Sequence, residues 1–336
     1  MTSFLGGPTG DDRALWDLHL SGYPLASLLA ADELGVFQAL SEAPSDVETL
    51  AREQSWSERG LKAVLPMLAA LDLLVVREGR YAITNVTRNF LLPDSPFYWG
   101  PVLRVMRQSP PAHAAIIAGL RSGEDTAHAN AWARGDVPEP MAHMIATYMH
   151  SHSLTAAFGM ARAGGFEGVK RLLDVGGGSG CYSIALANAH PDLSCTVMEL
   201  QSMCRLAEAY IADSGVGRID TVAVDMFREA WPSGYDALLF SNIFHDWNFE
   251  VCRTLAARAF EALPSGGRIF LHEALLDDTR DGPLTLAAFS VQMLVSTRGQ
   301  QFTLADLRGI LGSAGFADVA SVSTHAYYSV VSARKP

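Results

Sequence analysis

The chain is short of positive charge: 25 lysines and arginines stand against 36 aspartates and glutamates, a formal net charge of -11 over 336 residues. A polyanion-binding surface needs clustered cations, so neither nucleic acid nor an anionic membrane is an expected partner. Cysteine is scarce as well. The four present, Cys181, Cys195, Cys204 and Cys252, show no CxxC spacing, which argues against a disulfide framework or a zinc ribbon and fits free thiols in a reducing compartment. No apolar run approaches the ~18 residues a membrane span needs; even the greasiest early stretch, Tyr23 to Leu40, is interrupted by Asp32 and Glu33. The opening MTSFLGGPTGDD has neither the basic nor the apolar region of a secretory signal, so a cytoplasmic location is expected. What the chain does have is apolar material, 49% of residues against 18% charged, at a length that suits two domains.

The first third reads as helix, with apolar residues at three- and four-residue spacing from Trp16 to Leu40. DVETLAREQSW and SERGLKAVLPMLAALDLL are two further helices, the second opening on Ser57-x-x-Gly60, a capping pattern imperfect at its last position. VVREGRYAIT then alternates about Glu78-Gly79 as a hairpin. Helix, helix, hairpin is a winged-helix arrangement, which serves either DNA binding or dimerisation and substrate capping. The nearly balanced charges of residues 52–80 offer no basic recognition face, so a ligand-responsive DNA-binding regulator is the weaker alternative. Residues 101–165 form a helical linker and capping region, broken at Pro110-Pro111 and by GEDTAHANAWARGDVPEP, and ending in a long helix from Met141 to Ala163.

From residue 166 the pattern changes. KRLLDV, LSCTVMEL, TVAV, YDALLFSN and GRIFLHEALL are short apolar strands alternating with amphipathic helices, the mark of a buried parallel α/β sheet. DVASVSTH and AYYSVVSAR follow each other with no room for a crossover helix and must pair antiparallel. That combination is the Rossmann-like class I methyltransferase architecture. The division expected is 1–100, winged-helix-like; 101–165, helical; and 166–336, Rossmann-like.

The sharpest motif is LLDVGGGSG, a strand running through a glycine turn into a helix near Cys181. The dinucleotide fingerprint would need glycine at position 181. Instead Asp174 leads Gly176, Gly178 and Gly180 in an acidic-x-G-x-G-x-G pattern. This suits S-adenosylmethionine (SAM), which has no pyrophosphate but carries an ammonium that a carboxylate can receive. Glu199, ending the next strand, is placed for the ribose hydroxyls. Asp225, Met226 and Phe227 follow the third strand; either Asp225 meets the adenine amino group with Met226 or Phe227 on the ring face, or the three form a strand-end cap and core. His245, past the fourth strand in Phe244-His245-Asp246-Trp247, has the pKa range of a general base for a phenol.

Together these segments, with SNIFHDW, ALPSGGRIFLHEALL and RGQQFTLADLRGILGSAGF, resemble the caffeate/acetylserotonin-type small-molecule O-methyltransferases over nearly the whole chain. The resemblance implies a metal-free, SAM-dependent homodimer joined through its N-terminal domain, with S-adenosylhomocysteine as product and a small hydroxylated aromatic or heteroaromatic metabolite as acceptor. It implies His245 as general base and Glu273 as the glutamate that brackets it. Two positions depart from the family: Gln301 stands in the catalytic set where a second glutamate is usual, an amide that can hold the ring or the substrate but supplies no charge to an imidazolium, and Ser241 stands where plant enzymes often carry lysine near the adenine. The resemblance also places Ser153 near the SAM carboxylate, and Met149, Phe289, Met293 and Ser296 around the acceptor. His150 and His152, two residues apart, point to different helix faces and make no metal pair. The same scaffold also accommodates C- or N-methylation and SAM-assisted reactions without methyl transfer.

Overall fold

A computed structural model gives the architecture and describes residues 17–18, 21–108, 135, 137–279 and 282–336. The expected helix onset at Trp16, the break at Pro110-Pro111 and most of the polar stretch after it lie outside the described residues. The chain divides into two compact units, 1–109 and 110–336.

In the first unit the expected early helix is two: α1 (Gly22–Leu34) and α2 (Val36–Glu42). Gly35, at φ 81°, turns left-handed between them, and its N–H closes α1 on the carbonyls of Ala31 and Asp32. Apolar spacing carries through the break, so periodicity alone did not reveal it. Helix α3 (Val47–Gln54) starts where the Asp46 carboxylate accepts from Thr49 N. Helix α4 (Glu58–Ala70) starts where the Ser57 hydroxyl accepts from Gly60 N at 3.3 Å. Each such cap is worth about 1 kcal/mol. Strands β1 (Leu74–Arg77) and β2 (Arg80–Ile83) pair antiparallel, and Glu78 and Gly79, at φ 51° and 75°, make the two-residue turn with both residues left-handed that matches strand twist. Helices α5 (Asn85–Phe90) and α6 (Gly100–Gln108) complete the unit around Phe37, Leu40, Leu50, Leu65, Leu68, Leu74 and Leu103.

The second unit begins, among the described elements, with the long helix α7 (Glu139–Ala163). Strands β3 (Arg171–Val175), β4 (Ser194–Glu199), β5 (Ile219–Ala223), β6 (Ala237–Ser241) and β7 (Arg268–Ala274) are parallel. Helices α8 (Cys181–Ala189), α9 (Gln201–Ser214) and α10 (Phe249–Ala262) cross between them. After α11 (Leu284–Ser296) and α12 (Leu304–Ser313), strands β8 (Ala317–His325) and β9 (Tyr328–Arg334) pair antiparallel, β9 also running antiparallel to β7. The sheet order is β5-β4-β3-β6-β7-β9-β8. The chain winds outward from β3 in one direction, then returns to its other side with β6, leaving a crevice at the carboxyl ends of β3 and β6, where open α/β sheets receive ligands. Both faces of the sheet are covered. Leu173, Val175, Leu238, Phe240, Ile269 and Leu271 pack toward α10 and α12, while Leu172, Leu239 and Phe270 pack toward α7 and α8. Among the described residues no helix is long and apolar enough to cross a membrane.

Candidate active site

The glycine turn sits between β3 and α8, with Gly176, Gly178 and Gly180 all at positive φ. Gly177 is fixed by proximity instead: a Cβ there would lie 2.7 Å from the Asp174 carboxyl. Gly178, at φ 58°, has no atom within 4 Å of where its Cβ would be, so the turn is open on this side. Asp174 is fully buried beneath the turn; its Oδ2 accepts from Ser183 Oγ at 2.7 Å, its Oδ1 has no partner, and burial pushes the carboxyl up to about 6. Glu199 reaches across from the end of β4. Its Oε1 accepts from Gly178 N at 3.2 Å and its Oε2 from Leu200 N at 2.8 Å, while burial raises it to about 7. Asp174, the glycine turn and Glu199, two of the three elements expected at the strand ends, therefore meet.

Ser241 ends β6 with its Oγ buried and unpartnered. Ser153 is buried on α7 against Tyr182. Asp225 is already engaged in a turn, accepting at Oδ1 from Phe227 N at 2.8 Å and at Oδ2 from the Arg228 guanidinium. Burial pushes this carboxyl up, but Arg228 and the backbone donors outweigh it and hold it below the ordinary carboxylate range. Met226 packs toward the core, and the Phe227 ring stands edge-on to Trp247 at 4.8 Å. His150, which the sequence did not assign to this site, stacks on Tyr210 at 4.0 Å and places Nδ1 2.9 Å from Ser179 Oγ in the glycine turn.

The second half of the site is a 3-10 turn, Phe244–Asp246, that follows β6. It carries His245, which is buried, with Nδ1 2.9 Å from Glu273 Oε2. The other oxygen of Glu273 accepts from the N–H groups of Ile243 and Phe244 at 3.1 and 2.9 Å. Asp246 Oδ1 is 3.6 Å from His245 Nε2. Burial alone would lower the imidazole; the charge and hydrogen bond of Glu273, then the charge of Asp246, overcome it and raise the ring to about 9. The turn is gripped from two further sides. The Cys252 thiol donates to the Phe244 carbonyl, and Arg298 N donates to the Asp246 carbonyl at 3.1 Å. Gly299 packs so tightly that a Cβ there would lie 1.8 Å from the His245 carbonyl oxygen.

Of the expected acceptor residues, Phe289 on α11 sets its ring edge-on to His245 at 5.3 Å. Met293 is buried on the same helix, and the Ser296 hydroxyl bonds back to the Gln292 carbonyl. Met149 is half-buried on α7, next to Tyr148, whose side chain is hydrogen-bonded to Gln292 and so ties α7 to α11. His152 stacks on Tyr148 at 6.0 Å and meets Tyr328 edge-on at 6.5 Å; burial, then the charge of His245, pushes it down to about 4. Thus His150 and His152 do leave α7 on different faces. Gln301 is buried, yet neither side-chain amide atom has a partner. Among the described residues no three His, Cys, Asp or Glu side chains gather as metal ligands.

The chain matches the O-methyltransferase domain family over residues 125–317 and the O-methyltransferase dimerisation domain family over residues 16–93. It is 36% identical over 315 residues to 3-hydroxy-5-methyl-1-naphthoate 3-O-methyltransferase of Streptomyces sahachiroi, covering 92% of this chain and 90% of that protein. L-tyrosine C(3)-methyltransferase of Streptomyces lavendulae is 29% identical, covering 93% and 89% respectively. Among solved structures, human N-acetylserotonin methyltransferase in complex with SAM superposes with a TM-score of 0.81 at 27% identity, covering 98% of this chain and 99% of that one.

Proposed function

Because this chain belongs to the O-methyltransferase family, with that family's dimerisation domain ahead of its transferase domain, we propose that it methylates a hydroxyl of a flat aromatic or heteroaromatic metabolite, using SAM and His245 as general base. The observation that carries this reading is the buried His245–Glu273 pair, 2.9 Å apart, in the same crevice as the glycine turn. SAM bound there would supply an electrophilic sulfonium methyl group, with S-adenosylhomocysteine as the product. The residues present fit it: an open backbone face at Gly178, Glu199 beside it, and buried, unpartnered oxygens on Asp174 and Ser241. Gly176 and Gly180 shape the turn, with Ser153, Asp225, Met226 and Phe227 as the remaining contacts we assign to the cofactor.

His245 takes the acceptor's proton at Nε2, since Nδ1 faces Glu273. Glu273 fixes the ring and stabilises the imidazolium. Phe289, with Met149, Met293 and Ser296, holds the acceptor ring so that its oxygen lines up with the methyl carbon; alignment of this kind carries most of the rate enhancement in such displacements. The functional division we assign is dimerisation, 1–100; helical capping, 101–165; and SAM domain, 166–336. Homodimerisation is supported by the family of the N-terminal region and by exposed Leu18, Tyr23 and Leu34 there. The order helix, helix, hairpin supports a winged-helix-like module. Four free, buried cysteines suit a cytoplasmic enzyme, and we assign it to secondary metabolism.

The test is incubation with methyl-labelled SAM and a panel of hydroxylated arenes, followed by NMR of the product. Label on oxygen is expected; failure of any label to leave SAM contradicts the reading. The tyrosine C(3)-methylating relative favours one alternative. A phenolate formed by the same base is also nucleophilic at its ortho carbon, and label found on carbon establishes that outcome.

A further inference from the structure

Gln301 lies on a segment lashed to the base. Gly299, two residues before it, touches the His245 carbonyl with no room for a Cβ, and Arg298 N holds the Asp246 carbonyl. The Gln301 N–H donates to Ser290 Oγ at 3.2 Å, beside Phe289, whose ring meets the imidazole. Its neighbour Phe302 turns the other way, into the core against Phe249. The Gln301 side chain is only 1% exposed, and neither its Oε1 nor its Nε2 has a hydrogen-bond partner. It does not hold the His245 ring: Nδ1 faces Glu273 Oε2 at 2.9 Å, and neither Gln301 amide atom makes a hydrogen bond to Nε2.

Two unmet polar atoms on one buried amide are costly to keep, and folded proteins rarely tolerate them without a use. We infer that Gln301 reads the acceptor: its amide receives a neutral substituent that both donates and accepts a hydrogen bond, a second hydroxyl or a carboxamide, next to the hydroxyl that is methylated. The amide carries no charge, and Glu273 already brings a carboxylate to this crevice, so an ionised acid is the wrong complement. A polar pair rejects an analogue lacking the group far more strongly than an apolar wall does, since loss of the substituent leaves both amide atoms buried and unmet. The inference rests on the methyltransferase reading above.

The experiment compares 2,3-dihydroxynaphthalene with 2-naphthol as acceptors for wild type, Gln301→Leu and Gln301→Glu, with S-adenosylhomocysteine binding measured on each by calorimetry. Wild type is expected to favour the diol in kcat/KM by about tenfold or more, beyond the twofold given by its two equivalent hydroxyls. Gln301→Leu is expected to bring that ratio down to the statistical value through the diol's KM, with cofactor affinity unchanged. If the leucine variant does not fold, Gln301→Glu supplies the answer. It is expected to lower the ratio and make it pH-dependent. Wild type without a preference, or either variant keeping the wild-type ratio, overturns the inference. Loss of cofactor binding by the wild type instead contradicts the methyltransferase reading itself, so the two failures are distinguishable.

Discussion

Glu273 holds both the imidazole of His245 and the backbone that carries it. Its Oε2 is 2.9 Å from Nδ1 of the ring, and its Oε1 accepts from the N–H groups of Ile243 and Phe244. The carboxylate therefore sets the ring's charge and also the shape of the turn on which the ring stands. Two backbone donors fix the position of one carboxyl oxygen, which leaves the other aimed at the ring.

The first consequence is in the pH profile. With His245 near 9, most of the rings carry a proton at pH 7, so kcat/KM for SAM is expected to rise with pH and level off above about 9. A sulfonium beside the ring opposes its protonation, so the kcat limb, which reports the loaded enzyme, should fall at lower pH. Glu273→Gln is expected to move both limbs down by about a unit or more and to slow turnover on the order of tenfold or more. For stability, the folded value exceeds the unfolded 6.5. The pair's contribution is complete below about 6.5 and is lost as pH climbs through about 9. Thermal melts should decline over that window more steeply for the wild type than for Glu273→Gln.

Glu199 gives a second pH effect, this one on cofactor binding. Its folded value, about 7, lies above the unfolded 4.5, so its ionisation in the folded protein costs stability as pH rises from about 4.5 through 7. If Glu199 receives the ribose hydroxyls of SAM, they donate to its ionised form and offset that cost. SAM affinity is therefore expected to increase with pH through about 7, with a proton released on binding. Calorimetry in two buffers of different ionisation enthalpy reads the proton directly; an affinity flat between about pH 5.5 and 8.5 contradicts this role.

The glycine turn separates two neighbouring substitutions. In Gly177→Ala the new methyl meets the buried Asp174 carboxyl at 2.7 Å, in a turn with no slack. That variant is expected to lose cofactor binding and melt several degrees lower. Gly178→Ala meets nothing within 4 Å and pays only for its left-handed φ of 58°, about 1–2 kcal/mol. It should fold with a modestly lower Tm yet bind SAM more weakly, because its methyl stands on the open face.

Gly299→Ala tests the grip on the His245 turn from outside the cofactor half. A Cβ 1.8 Å from the His245 carbonyl must displace the turn. A 1 Å misplacement of catalytic geometry costs about a hundredfold, so kcat is expected to fall on that scale while S-adenosylhomocysteine affinity stays at the wild-type level. Equal loss of both contradicts a local effect.

Much of this layout was legible in the chain itself. Strand, glycine turn and helix followed from LLDVGGGSG because buried parallel strands are continuous apolar runs, and a turn that tight needs residues without Cβ. The antiparallel close followed from the short link between the last two strands. His245 and Glu273, each read from its place after a strand, do lie side by side, 2.9 Å apart. Contacts made across long sequence distances were not legible. Nothing near Gly299 in sequence says that it must fit against the carbonyl of His245, 54 residues earlier. Nor does DMF reveal that Asp225 is already bound by Arg228, a contact that requires the turn to be built first. The break at Gly35 was hidden because two helices in line preserve one apolar rhythm.

The most direct measurement is single-turnover methyl transfer by His245→Ala, with S-adenosylhomocysteine affinity measured on the same preparation. If His245 is the base, transfer to a phenol falls by about a hundredfold to ten-thousandfold while the cofactor still binds, and the loss narrows as pH approaches the phenol's own pKa. Turnover near the wild-type rate at neutral pH, with the cofactor bound, contradicts the account.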